Sequence, residues 1–300
     1  MDHHVNLPPE PQQPEDSQCC GQGCRSCVFD VYKQELLIWK KKCEELVTCR
    51  GEQETKMCPE SYVNCVIEGV EHQCSTVFLF HFKLPEHNYL TFAASQHMIA
   101  REITGNVTIS RPYTLISSPG LVTTFSVLIK LYKDGQMSKI IQEKWLPGYS
   151  VAWRGPIGVC EYKPNSYSNV LFIAAGTGIT PMYQLAKLVI DNPDDETRIK
   201  LLYCCRNYSE ILLRAQLREM QDYWNFKVRY FLSDNVSDST ALQNEDVNCH
   251  QLTYDIVHKE ISSMKKNSLR VFLCGPKSFE KQLIDNLTKI GIEKSSIVTF

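Results

Sequence analysis

The sequence predicts two successive domains of different class: an antiparallel β barrel or sandwich, then a parallel sheet wrapped by helices. Three observations carry this. Between about 61 and 158, short β-type runs are punctuated by Gly and Pro. From about 169, apolar runs alternate with helical stretches, the pattern of βαβ units. A length of 300 residues also suits two domains better than one, since domains cluster near ~100–150 residues. With 43% apolar and 22% charged residues the chain can bury real cores.

The elements follow in order. Residues 1–18 contain four prolines and are expected to form a disordered tail. Residues 19–47 form a Cys-rich segment with a helix: Phe29, Tyr32, Leu36, Trp39, Cys43 and Leu46 recur at spacings of three and four, with Gln34, Lys41 and Glu45 opposite. Residues 48–60 are charged and irregular and read as a linker. The first large domain is placed at 61–165, with strands at Tyr62–Ile67, Thr76–Phe82, Val107–Ser110, Phe125–Tyr132 and Tyr149–Arg154. In the clearest of these, period two separates Phe125, Val127, Ile129 and Leu131 from Ser126, Leu128, Lys130 and Tyr132. The first set suits a core, and the second suits either a ligand-bearing surface or a solvent face. The second domain, 166–300, has strands at Val170–Ala174, Arg198–Cys204, Lys227–Leu232 and Leu269–Cys274. Helices are expected at Pro181–Ile190, Ser209–Tyr223, Gln251–Ser262 and Lys277–Ile290.

Charge and composition narrow the function classes. Lys and Arg total 32 against 34 for Asp and Glu, so no field strong enough to make nucleic acid or anionic membrane the main partner is present. Met1–Gln18 is polar and acidic, with no arginine and no apolar core, and reads as neither secretory signal nor transit peptide. No run approaches the ~18–20 apolar residues of a membrane helix. The expected location is cytoplasmic, with acylation of the Cys19–Cys27 region as an alternative route to a membrane. The histidines form no His-x-x-His pair, and there is no Gly-x-Ser-x-Gly elbow and no Walker loop, so hydrolase and nucleoside-triphosphatase readings have no support.

Of the 14 cysteines, nine lie between Cys19 and Cys74. Cys19, Cys20, Cys24 and Cys27 have the donor chemistry for zinc or an iron–sulfur centre, but adjacent ligands make a strained chelate and no second Cys-x-x-Cys follows. Free or acylated thiols, and after them a disulfide, are the alternatives, and no metal is assigned.

Two motifs point to a nucleotide. Gly176-Thr177-Gly178 joins a strand to a helix expected at Pro181, which lets backbone N–H groups approach a pyrophosphate, although a plain tight turn looks the same. Arg111-Pro112-Tyr113-Thr114 places a bidentate cation at a strand end and an aromatic two residues on, on the same face. With Lys130 and Tyr132, Gly135-Gln136-Met137-Ser138, Arg154-Gly155-Pro156, Gly176–Pro181, Cys274-Gly275-Pro276 and Phe300, these resemble the NADH-cytochrome b5 reductase branch of the ferredoxin-reductase family over about 60–300. The segment from Cys19 resembles the short oxidoreductase-like domain.

The resemblance implies a six-stranded FAD-binding barrel, a doubly wound nicotinamide-nucleotide domain and a flavin site between them. Arg111 would pair with the FAD pyrophosphate, Pro112 and Tyr113 would border the flavin and ribityl chain, and Thr114 would support N5. Leu128, Lys130 and Tyr132 would line the same site, and Gly135, Met137 and Ser138 would offer donors to the pyrophosphate. Gly176, Thr177, Gly178 and Pro181 would bound NADH, Thr180 would contact FAD, and Cys274, Gly275 and Pro276 would lie beside the nicotinamide, with Thr114 and Cys274 closest to the chemistry. The implied activity is electron transfer from NADH through FAD to a haem protein such as cytochrome b5. Departures keep two alternatives open. Gln136 stands where these reductases carry a lysine, and the loop before Gly135 is short, which suits a flavin-binding or scaffold module recruiting a partner through its Cys-rich segment. Arg206 is a candidate receiver of a 2′-phosphate, which would select NADPH.

Overall fold

The computed structural model describes residues 9–15, 28–45, 55–159, 162–234 and 245–300, with 41–45 as backbone only. The chain divides into two compact units, one of 1–71 and 78–159, the other of 72–77 and 160–300. Among the described residues no helix is long and apolar enough to cross a membrane.

Among the described residues the first unit is built on nine strands: β1 (Thr55–Lys56), β2 (Val63–Cys74, whose last three residues cluster with the second unit), β3 (Val77–Lys83), β4 (Asn88–Phe92), β5 (His97–Thr104), β6 (Val107–Thr114), β7 (Gly120–Val122), β8 (Thr124–Lys130) and β9 (Ser150–Ile157). Six of them form a sheet in the order β6-β5-β9-β2-β3-β8. Its two edges meet: Leu115, just beyond β6, bridges Val127 of β8 antiparallel, and Ile116 N–H donates to Ser126 O at 2.9 Å. The sheet therefore closes into a barrel, which removes its unpaired edges. A side sheet, β1-β4-β7, covers one flank.

The period-two reading of β8 holds. Phe125, Val127, Ile129 and Leu131 are all buried in the barrel core. That core is aromatic: the Phe82 ring stacks on Phe125 at 5.2 Å and meets Trp153 edge-on at 5.0 Å. Thr55–Lys56 pairs with β4 and Met57 is 1% exposed, so the stretch read as a linker belongs to the barrel from Thr55 on. Strands β4, β5 and β7 were not expected, and β6 runs four residues further, through the whole Arg111–Thr114 motif.

Among the described residues two helices belong to this unit, α1 (Val28–Glu45) and α2 (Gln136–Lys144). The predicted apolar face of α1 is only half-buried at Phe29, Tyr32, Leu36 and Trp39. Its deepest positions are Val31 and Glu35, each 5% exposed, so the helix is rotated relative to the reading from apolar spacing alone. The cysteines expected to form a cluster, Cys19, Cys20, Cys24 and Cys27, lie outside the described residues.

The second unit holds β10 (Asn169–Ala175), β11 (Arg198–Cys205), β12 (Phe226–Leu232), β13 (Val247–Asn248), β14 (Leu269–Cys274) and β15 (Ile297–Thr299). Its helices are α3 (Ile179–Ile190), α4 (Arg214–Met220), α5 (Tyr254–Ser262) and α6 (Lys277–Lys289). All strands run parallel in the order β13-β12-β11-β10-β14-β15. The chain builds outward from β10 to β13, then returns to the other side of β10 as β14, so the strand order reverses between β10 and β14. Ligands of open α/β sheets bind beyond the strand ends at such a reversal.

Three helices depart from expectation by more than one residue, α5 by starting at Tyr254 rather than Gln251. Gly176–Gly178 forms a 3₁₀ turn and α3 starts at Ile179, with Pro181 inside the first turn, where its missing N–H costs no helical hydrogen bond. The helix expected over Ser209–Tyr223 contracts to Arg214–Met220, because Leu213 turns left-handed at φ 55° after a 3₁₀ turn at Tyr208–Glu210.

Candidate functional site

In the first unit, the Arg111-Pro112-Tyr113-Thr114 motif is the C-terminal half of β6. Strand alternation sets Arg111 and Tyr113 on one face and Ser110, Pro112 and Thr114 on the other. Arg111 Nη1 donates to the Ser110 carbonyl at 2.7 Å, which folds the guanidinium back along its own strand. The Tyr113 ring packs edge-on to Trp153 at 5.9 Å and is anchored by the barrel core. Burial raises the Tyr113 phenol well above the usual tyrosine range; the Arg111 charge lowers it and Tyr132 raises it again, so these three side chains share one neighbourhood.

Leu128 is 4% exposed, Lys130 is partly exposed, and Tyr132, beyond the strand end, is 62% exposed. A turn from Tyr132 O to Gly135 N then leads into α2. No side chain caps the N-terminus of that helix. A Cβ on Gly135 would lie 2.8 Å from Ser138 Oγ, so any larger residue there must displace the serine hydroxyl. Met137 is committed to the barrel core, and Ser138 Oγ accepts from Tyr132 N–H at 2.9 Å, which leaves its own proton free to donate. First-turn N–H groups without a side-chain cap, beside Arg111 and two phenols, fit an anionic nucleotide with a flat ring.

His97 carries no signal in the sequence. It pairs with Thr114 across β5 and β6, and burial together with the Arg154 charge lowers it to about 4, so it is neutral near pH 7. The next strand brings Arg154, 1% exposed. Gly155 follows at φ 136°, where a Cβ would stand 2.7 Å from Met98 Sδ.

In the second unit the two glycine turns stand side by side, because Ala174 of β10 is in register with Cys274 of β14. Gly176 is left-handed at φ 54°, and its carbonyl accepts from the Tyr203 hydroxyl at 3.0 Å. A Cβ on Gly178 would sit 2.3 Å from the Cys274 carbonyl oxygen, so only glycine permits this approach. Gly275 is equally enclosed, with Phe279 at 2.8 Å and Ala175 at 3.0 Å from a notional Cβ, and its N–H donates to Glu280 Oε1 at 3.1 Å. Thr180 Oγ1 donates to Thr177 O at 3.0 Å and Thr177 stands in the turn between the two glycines, so the Thr180 hydroxyl supports the turn. Pro276 caps α6 and Phe300 stacks on Phe272 at 6.0 Å. Burial pushes the Cys274 thiol up to about 12, so it stays protonated and acts as a packing group. This cradle of backbone at the strand-order reversal fits a nucleotide lying over β10 and β14. Arg206 is 66% exposed and stands 3.9 Å from Glu210 Oε1.

Comparison with known proteins accounts for both units. The families described as Oxidoreductase FAD-binding domain and Oxidoreductase NAD-binding domain match residues 64–162 and 172–284, and Oxidoreductase-like protein, N-terminal, matches 3–48. The human protein named NADH-cytochrome b5 reductase-like is 33% identical over 298 residues, covering 97% of this chain and 94% of its own length. NADH-cytochrome b5 reductase 1 of Dictyostelium discoideum is 33% identical over 224 residues, 74% of this chain and 76% of that one. The same fold occurs in the cytochrome b5 reductase domain of Ulva prolifera nitrate reductase, with a TM-score of 0.68, 24% identity and coverage of 81% and 98% of the two chains. The chain belongs to the NADH-cytochrome b5 reductase family of flavoprotein oxidoreductases, with an FAD-binding barrel, an NAD-binding α/β domain and an oxidoreductase-like N-terminal segment.

Proposed function

We propose that this NADH-oxidising flavoprotein passes its electrons to a one-electron haem acceptor of the cytochrome b5 kind. The observation that carries the reading is the 33% identity to a protein of that name along nearly the whole chain. FAD supplies a hydride acceptor at N5 and can release electrons singly, so the protein's task is binding, alignment and exclusion of side reactions.

In this reading Arg111 and the uncapped N–H groups of α2 hold the pyrophosphate. Pro112 and Tyr113 border the flavin, with Tyr113 fixed by Trp153, and Leu128, Lys130 and Tyr132 continue the lining. Ser138 completes the donor set, Gly135 holds the turn into α2 with its N–H on the Tyr132 carbonyl, and Met137 anchors α2 in the core. Thr114 offers its hydroxyl at N5. Gly176, Thr177, Gly178 and Pro181 form the turn that receives NADH, supported by Thr180, and Cys274, Gly275 and Pro276 give the nicotinamide a close backbone surface. No side chain acts as a nucleophile, in keeping with a Cys274 thiol held protonated. NADH is the preferred donor, because a 2′-phosphate at Arg206 would meet the Glu210 carboxylate that already faces that guanidinium.

Stopped-flow mixing of the NADH-reduced protein with oxidised cytochrome b5 tests the acceptor. Rapid, saturable haem reduction is expected. Reoxidation by dioxygen or a quinone at rates that exceed any haem reduction would overturn this choice of partner.

A further inference from the structure

Glu35 is a carboxylate 5% exposed, on the helix of the oxidoreductase-like segment. A buried charge persists only when it is hydrogen-bonded or paired. Glu35 Oε1 accepts from the Ser110 hydroxyl at 2.6 Å and from the Tyr62 hydroxyl at 2.5 Å. Tyr62 in turn accepts from Arg154 Nε at 3.1 Å, so the phenol bridges a buried anion and a buried cation. Burial, with the Glu35 charge behind it, pushes the Tyr62 phenol up to about 12, which keeps it a donor. Arg154 is tied further to the Pro59 carbonyl at 3.0 Å and to Gln34 of the same helix at 3.4 Å, while the Arg101 guanidinium lies 3.7 Å over the Tyr62 ring.

Ser110 is the residue before Arg111, and it is held at both ends. Its hydroxyl goes to Glu35 and its carbonyl receives the Arg111 guanidinium. Alternation along β6 puts the helix on the strand face opposite Arg111 and Tyr113. We infer that α1 is a positioning element of the flavin-binding strand, with Glu35 fixing Ser110 and thereby the Arg111 guanidinium. This gives the N-terminal segment a role within the reductase itself, and it rests on the reading that Arg111 holds the FAD pyrophosphate.

The test uses the full chain with Glu35→Ala, Glu35→Gln, Ser110→Ala, Arg111→Ala and, as a control on the same helix, Val31→Ala. The readouts are the FAD dissociation constant of the apoprotein, the fine structure of the bound flavin's visible spectrum, and KM for NADH. Glu35→Ala and Ser110→Ala should each weaken FAD about tenfold and blur the spectrum without moving KM for NADH, the loss expected for a hydrogen bond to a charged group. The Glu35→Ala/Ser110→Ala double variant should be no worse than either single one. Glu35→Gln, whose amide oxygen accepts both hydroxyls, should stay within about threefold of the parent. Val31→Ala should lower thermal stability and leave FAD affinity unchanged. Unaltered FAD affinity in Ser110→Ala, or an equal loss in Val31→Ala, overturns the inference while an FAD-deficient Arg111→Ala leaves the Arg111 reading standing. Should Arg111→Ala bind FAD like the parent, the Arg111 reading itself fails. If Glu35→Ala does not fold, Ser110→Ala and Glu35→Gln still decide.

Discussion

Gly178→Ala is the smallest change that probes the nucleotide cradle. The added methyl carbon would stand 2.3 Å from the Cys274 carbonyl oxygen and 2.6 Å from its carbon. Both are backbone atoms, so no side chain can swing away. The turn after β10 and the turn after β14 must separate, each tied to a strand of the central sheet pair. Overpacking of this kind costs ~1–3 kcal/mol. If the cost falls on the nucleotide-bound form, NADH binding or hydride transfer drops roughly 5–150-fold, by the factor of ten per ~1.4 kcal/mol. The residues assigned to FAD lie mainly in the first unit, so flavin content should stay near one per chain. Anaerobic stopped-flow bleaching of the flavin against NADH concentration separates the apparent dissociation constant from the limiting rate, with the oxidised spectrum as the control. An unchanged rate and affinity in a folded, flavin-loaded Gly178→Ala protein would refute the placement of NADH over these turns.

Other outcomes follow from the same geometry. His97, with its pKa lowered from 6.5 to about 4, binds fewer protons folded than unfolded between those values. Stability should therefore fall as pH drops through that window, by about 2 kcal/mol from this residue at pH 5, and His97→Gln should flatten the acid limb in urea melts at pH 5 and 7.5. Cys274→Ser should keep the pH profile of flavin reduction flat between pH 6 and 9, since the thiol titrates only near 12; a thiol-like limb lost in the variant would contradict its packing role. Gln136→Lys adds a cation at the exposed first position of α2 and should tighten FAD about two- to fivefold at low salt, an advantage that fades as salt rises. Phe82→Ala, at the centre of the aromatic core, should cost ~3–5 kcal/mol in chemical denaturation.

The parallel half was the more legible in sequence, because strands buried on both faces read as unbroken apolar runs. Val170–Ala174 and Leu269–Cys274 were placed to within a residue. In the barrel, legibility depended on a clean alternation. Phe125–Leu131 has it, whereas β5 does not: Met98, Ile99 and Ala100 are buried in succession and Arg101-Glu102 breaks the apolar run. Glu102 lies inside only because Trp145 and Tyr149 hydrogen-bond its two oxygens, a long-range fact with no local signature. His97 went unseen for the same reason, since its strand was unseen. Glu35 shows the limit more sharply. Apolar spacing placed Phe29, Tyr32, Leu36 and Trp39 against the protein, but the helix turns a carboxylate inward because Ser110 and Tyr62 await it. Met57 was concealed by charged neighbours in a stretch that reads as solvent-facing. The glycine turns and the Arg111 motif were visible as letters, but the side-by-side placement of the two glycine turns came from the register of β10 with β14, which no single segment contains.

In the proposed function, NADH reduces a flavin bound by this chain, which then gives up single electrons to a haem protein. The most direct test is the absorption spectrum of the purified protein, recorded anaerobically before NADH, after one equivalent, and after oxidised cytochrome b5 is added. Oxidised-flavin bands should bleach with NADH and return as the spectrum of reduced cytochrome b5 grows in. A colourless protein that takes up no added FAD, or flavin bands that persist in NADH, would contradict the proposed function.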